Sequence, residues 1–146
     1  MNEIVLKNGR KIGESHSCYI IMDIAANHNG DLNTAKELIS KAAEAGADAV
    51  KFQTYRAEDL YSKNTPQFTK DPIKPYDLIK KVQHPREWIP QLFEYAKGNN
   101  IDFLSSPFDY DAVDLLDNTG IELFKVASPE IVDLGFLRYI AGKGKP

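Results

Sequence analysis

The chain has 146 residues, 42% of them hydrophobic, which is enough for one domain with a buried core and excludes a disordered segment. Eighteen basic residues against twenty-one acidic ones give a formal charge of -3, and no run of lysine or arginine forms the footprint of a nucleic-acid or anionic-membrane binder. Cys18 is the single cysteine, which excludes an internal disulfide or a cysteine zinc cluster. Lying beside an apolar run, Cys18 is expected in the core. The first eleven residues alternate charged and apolar types, unlike a signal peptide, and no apolar stretch approaches the roughly 20 residues of a membrane span. A soluble, cytoplasmic protein is expected.

In chain order, residues 4–12 predict a small hairpin, because two short alternating runs flank Asn8-Gly9, a dipeptide suited to the positive φ of a tight turn. This hairpin is expected to plug or flank the main body of the fold. Residues 19–23 form the first strong strand. Asn27-His28-Asn29-Gly30 then reads as a loop, and Asp31 as the N-cap of a helix over 32–45. In that helix Leu32, Ala35, Leu38, Ile39, Ala42 and Ala43 keep the three-four spacing of a buried stripe, and Gly46 closes it. The pattern repeats with a strand over 49–53, a long loop, helices around 76–82 and 86–97, and a strand over 101–105 that Pro107 is expected to stop. Next come a helix near 112–118, a strand over 123–126 and a helix over 134–141, and 142–146 resembles the turn into a fifth strand. The aromatics Trp88, Phe93 and Tyr95 read as packing residues.

Strands and helices that alternate with short connections imply parallel strands and right-handed crossovers. There is no Gly-x-Gly-x-x-Gly turn and no phosphate loop with Lys-Ser or Lys-Thr, so a nucleotide-binding open sheet loses support. The fold expected is α/β: a partial TIM-type (β/α)8 barrel of about four βα units behind an N-terminal hairpin, a single domain over 1–146 that stops before the barrel closes.

Side chains alternate along a strand, so Ala49, Lys51 and Gln53 share one face and Val50, Phe52 and Thr54 the other. If the apolar face packs on the helices, Lys51 and, by the same argument, Lys125 point into the barrel. Asp23 ends the first strand, and Ser105-Ser106 supply hydroxyls at the end of the third. In such barrels the active site lies at the C-terminal ends of the strands. Two inward lysines against one strand carboxylate leave a positive excess, suited to a small anion carrying phosphate or carboxylate. The alternative is a structural ion pair of Asp23 with Lys51 or Lys125. His28 is at least as well explained by hydrogen bonds that fix its own loop as by substrate contact. His16 and His84 show no metal-ligand spacing with it.

Four segments resemble, in order and spacing, successive signatures of the sialic acid synthases, a family related to the spore coat polysaccharide, legionaminate and pseudaminate synthases. They are Asp23-Ile24-Ala25-Ala26-Asn27-His28-Asn29-Gly30, Ala45-Gly46-Ala47-Asp48-Ala49-Val50-Lys51-Phe52-Gln53-Thr54, Phe103-Leu104-Ser105-Ser106-Pro107-Phe108-Asp109 and Phe124-Lys125-Val126-Ala127-Ser128-Pro129-Glu130. The resemblance implies condensation of phosphoenolpyruvate with the aldehyde of an N-acetylated amino sugar, N-acetylmannosamine or a related one, to a nonulosonic acid with release of phosphate. It implies that Lys51, Ser106, Lys125 and Ser128 hold phosphoenolpyruvate and that Gln53 faces the sugar. Asp23 and Glu130 then lie near the reacting atoms, as catalytic carboxylates. Asp23 stands where the family commonly has Glu, and Pro129 where it has Gly. A divalent metal, Mn or Mg, is implied with ligands beyond this chain, as are a further sugar-binding domain and a homodimer of the full-length protein.

The chain by itself is therefore expected to be inactive, and its open strand edges to promote self-association. Two rival readings are a Schiff-base aldolase using Lys51 or Lys125 and a non-catalytic fragment that binds phosphate esters.

Overall fold

The computed structural model describes residues 3–67, 70 and 72–146. Its first element is the expected hairpin. Strand β1 (Ile4–Val5) runs antiparallel to β2 (Lys11–Ile12), with Ile4 opposite Ile12, and Gly9 takes φ +84° in the turn between them. The hairpin lies across the N-terminal ends of the strands of the main sheet. Asn8 Nδ2 donates to Asp102 Oδ1 at 3.1 Å, the backbone N–H of Lys7 donates to the Glu122 carboxylate, and Arg10 pairs with Asp48 at 3.2 Å.

Three parallel strands form that sheet in the order β3 (Ile21–Asp23), β4 (Ala49–Thr54) and β5 (Asp102–Pro107). Between the first two lies α1 (Leu32–Glu44). Asp31 caps it, accepting from the Thr34 N–H at 2.6 Å, and Gly46 at φ +81° lets the chain turn away. Between β4 and β5 come a short helix α2 (Ala57–Leu60), which the sequence pattern does not announce, then α3 (Pro75–Val82) and α4 (Trp88–Gly98). Helix α5 (Tyr110–Thr119) begins at the Asp109 cap and ends at Gly120, whose φ of +99° suits a residue without Cβ. A 3-10 turn (Ser128–Val132) leads into α6 (Leu134–Ala141), whose bounds match those read from the sequence.

The core lies between one face of the sheet and the helices. Val50 and Phe52 of β4 and Phe103 of β5 pack against Ala35, Ile39 and Ala42 of α1 and Ile89, Leu92 and Ala96 of α4, with Phe52 stacked on Phe103 at 5.3 Å. Trp88, Phe93 and Tyr95 pack around this core as expected. The sheet's other face carries Ala49, Lys51, Gln53, Leu104 and Ser106. This one-sided arrangement of parallel strands and crossover helices is that of part of a β/α barrel.

Two expectations need correction. The segment over 123–126 forms no ladder with β5, so among the described residues three paired parallel strands are present instead of four. Phe124 and Val126 anchor it by packing on Val113, Phe136 and Ile140, and the Phe124 N–H donates to the Pro146 carbonyl at 2.9 Å. Pro107 is the last residue of β5, as expected, although it still takes part in the ladder. It pairs with Thr54, and the Phe108 N–H continues to the Thr54 carbonyl at 3.2 Å, because a proline lacking its donor is tolerated where its nitrogen faces away from the partner strand. Cys18 is exposed instead of buried. It precedes the paired part of β3, and its carbonyl is held from outside by the Arg10 guanidinium at 3.1 Å.

Candidate functional site

The sheet register brings four of the seven candidate residues together. Asp23 lies directly opposite Lys51, which is opposite Leu104; one step on along the same face, Gln53 lies opposite Ser106. All are near the C-terminal ends of their strands, on the face away from the helices. Lys51 Nζ meets Asp23 Oδ1 at 2.7 Å, with the lysine side chain 11% exposed and the aspartate 56%. The ion pair weighed as a structural alternative is thus present. An aspartate suffices for it because cross-strand neighbours are close enough for a short side chain to reach.

Ser105 and Ser106 separate by alternation. Ser106 shares the face of Lys51 and is buried, whereas Ser105 turns to the helix side and exchanges a 2.7 Å hydrogen bond with the buried hydroxyl of Thr54. The other three candidates come after β5 in the chain. Lys125 is half-buried, and the packing of Phe124 and Val126 on the helices leaves it on the opposite side of its segment. Ser128 is exposed at the start of the 3-10 turn, where Pro129 fits because the first positions of a helix need no N–H donor. Glu130 lies in the same turn, and burial, with Asp133 adding to it, pushes its carboxyl above the usual carboxylate range.

His28 serves its own loop. The ring is 1% exposed, and Nδ1 accepts the N–H of Gly30 at 3.0 Å just before the Asp31 cap. It packs on Phe52, on Trp88 and edge-on to His84 at 5.6 Å, and His84 stacks on Trp88. Burial, reinforced by His84, lowers its pKa to about 4, and burial also lowers that of His84. Among the described residues no three His, Cys, Asp or Glu side chains converge as a metal site.

Two features escape a reading by periodicity. One is the histidine–tryptophan cluster; the other is a line of charges at the ends of β4 and β5. Arg86 pairs with Asp109 and approaches Asp111 at 3.8 Å, and Asp111 also takes Arg56 at 3.3 Å. The only local signal for the latter was Asp109 standing as a cap before a helix. A cavity of about 830 Å3 lies elsewhere: the hairpin, Tyr19, Asp102 and Glu122 line it at the N-terminal ends of the strands. Its polar groups bond one another, Tyr19 to Asp102 and Lys7 to Glu122. The candidate patch is at the opposite end, and no helix among the described residues is long and apolar enough to cross a membrane.

Residues 38–146 match the profile of the NeuB family. The spore coat polysaccharide biosynthesis protein SpsE of Bacillus subtilis is 38% identical over 141 residues, covering 94% of this chain and 38% of that protein. The N,N'-diacetyllegionaminic acid synthase of Campylobacter jejuni is 41% identical over 132 residues, covering 86% of this chain and 40% of that protein. The solved N-acetylneuraminic acid (sialic acid) synthetase of Leptospira borgpetersenii, in complex with citrate, superposes with a TM-score of 0.88 at 33% identity, covering 99% of this chain and 47% of that one. The chain thus spans about two fifths of the length of these curated relatives.

Proposed function

The chain belongs to the NeuB family, and from that premise we propose that it carries the phosphoenolpyruvate side of a nonulosonic acid synthase site. The observation that supports this most is the ladder register, with Lys51 nearly buried on a helix-free face and Gln53 and Ser106 in the next row. Burying an ammonium is costly unless an anion compensates. Asp23, itself 56% exposed, compensates in part, and an anionic ligand would supply the rest.

In this reading Lys51, Ser106, Lys125 and Ser128 bind the phosphate and carboxylate of phosphoenolpyruvate, and Gln53 meets the N-acetylated amino sugar. The balance is phosphoenolpyruvate plus aldehyde plus water giving nonulosonic acid plus phosphate. A carbon–carbon bond forms from C3 to the aldehyde carbon, whose oxygen gains a proton. Water adds to C2, and the C2–oxygen bond to phosphate breaks as the ketone forms. Glu130, whose carboxyl is pushed up, is suited to hold a proton, and Asp23, beside the ammonium, to orient water. A divalent metal, Mn or Mg, would be held by residues outside this chain and would supply electrophilic activation of the aldehyde, and the full-length protein is a cytoplasmic homodimer. Each binding and proton-transfer role named above falls to one of this chain's own side chains. A Schiff-base aldolase would need a free lysine nucleophile; Lys51 is paired with Asp23 at 2.7 Å, and borohydride trapping of a pyruvate adduct tests Lys51 and Lys125 alike.

Calorimetric titration with phosphoenolpyruvate tests the reading. Saturable binding is expected, weakened at least about tenfold in Lys51→Met through loss of a charged hydrogen bond. No binding, or unchanged affinity in the variant, refutes it. With phosphoenolpyruvate, N-acetylmannosamine and Mn2+, the 146-residue chain is expected to release no phosphate; sustained release would show that it is active by itself.

A further inference from the structure

We propose that Arg86 is a positioning residue for the anion site, acting through Asp109 to hold the Ser106 hydroxyl in place; the inference rests on the reading of Lys51 and Ser106 as ligands of phosphoenolpyruvate. Arg86 lies between α3 and α4, at the same end of the sheet as the candidate patch. Its guanidinium pairs with Asp109, the two side chains being 15% and 16% exposed. Asp109 stands three residues after Ser106, and its Oδ1 accepts the Ala112 N–H at 2.8 Å. Arg86 Nη1 also reaches towards Asp111, which holds Arg56 just past the end of β4. Alternating charges thus tie the end of β4, which carries Gln53, to the end of β5, which carries Ser106.

A buried ion pair recovers its desolvation poorly, so stability is not what this pair chiefly adds. The Nε of Arg86 is buried with no partner among the described residues, a further cost. What a guanidinium adds over an ammonium is direction, since its planar fork engages two acceptors at fixed angles. Between Asp109 and Ser106 stand only Phe108, whose N–H is held by Thr54, and Pro107, whose φ is locked. A shift of the Asp109 carboxylate therefore passes to Ser106 with little slack, and ligand placement tolerates little error.

The test is a double-mutant cycle read as phosphoenolpyruvate affinity by calorimetry, with circular dichroism checking the fold of each variant. Arg86→Ala is expected to weaken binding about tenfold in the wild-type background, and no more than about twofold when Ser106→Ala is already present, because residues acting through one contact are not additive. Asp109→Asn keeps the cap on α5, since asparagine also caps, and is expected to show the same coupling. It decides the matter if Arg86→Ala fails to fold. Arg86→Lys, which keeps the charge without the fork, is expected not to rescue. Equal losses with and without Ser106→Ala, or no loss, overturn the positioning role while leaving the site reading intact. If the wild-type chain binds no phosphoenolpyruvate, the site reading fails and this inference falls with it.

Discussion

Lowering the pH from 7.5 to 5 is expected to destabilise the chain through His28. Nδ1 of this ring already accepts the Gly30 N–H, so the neutral form carries its proton on Nε2. A second proton has to displace that hydrogen bond and place a charge among Phe52, Trp88 and His84. The folded pKa is accordingly about 4, against 6.5 for a free imidazole. Between these values the unfolded chain binds a proton that the folded chain refuses, so this contribution is fully present above about pH 6.5 and is lost as pH falls towards 4. At pH 5 the loss amounts to about 2 kcal/mol with full shielding, and about 1 kcal/mol after screening for a loop near the surface. His84, shifted in the same direction by burial, adds to it.

Urea unfolding at pH 7.5 and pH 5, on wild type and His28→Asn, isolates the effect. Asparagine places an acceptor near the position of Nδ1 but does not titrate. The variant is expected to be less stable at pH 7.5, because the ring packing is lost, but to lose about 1 kcal/mol less than wild type on acidification. An identical pH dependence in the two proteins refutes the argument. The outcome bears on the site because this loop joins Asp23 to α1.

Two further outcomes are expected. Thr54→Val or Ser105→Ala alone leaves a buried hydroxyl without its 2.7 Å partner and costs about 1 to 3 kcal/mol, whereas the double substitution is nearer neutral; urea midpoints of the three variants check this. Among the described residues strand β3 pairs only with β4, and Ile20, Ile21 and Met22 around it are exposed, so self-association is expected in light scattering, and a clean monomer over a wide concentration range counts against it.

Much of this fold is legible from local chemistry. The spacing of Ala35, Ile39 and Ala42, the Asp31 cap and Gly46 define α1, because a helix records its buried stripe and its ends within a dozen residues. The alternation of Lys51 and Gln53 against Val50 and Phe52 assigns β4 two unlike faces, and the Asn8-Gly9 turn announces the hairpin. Where local pattern misleads, a distant partner is responsible. Cys18 has a core-like neighbourhood in sequence, yet the chain reaches the sheet only three residues later. The 123–126 segment has strand-like alternation, and its side chains find the helices without its backbone joining a ladder.

For the candidate patch the division is similar. The sequence by itself determines that Lys51, Gln53 and Ser106 sit near strand ends, and on which face Lys51 and Gln53 fall, since strand periodicity is a property of the local backbone. Only the tertiary structure decides that Asp23 meets Lys51, that Gln53 meets Ser106, that Ser105 turns away to Thr54, and that Arg86 reaches Asp109. Those meetings depend on the register of strands and the packing of loops far apart in the chain. They are settled by the burial of the whole core and leave no periodic trace in any one segment.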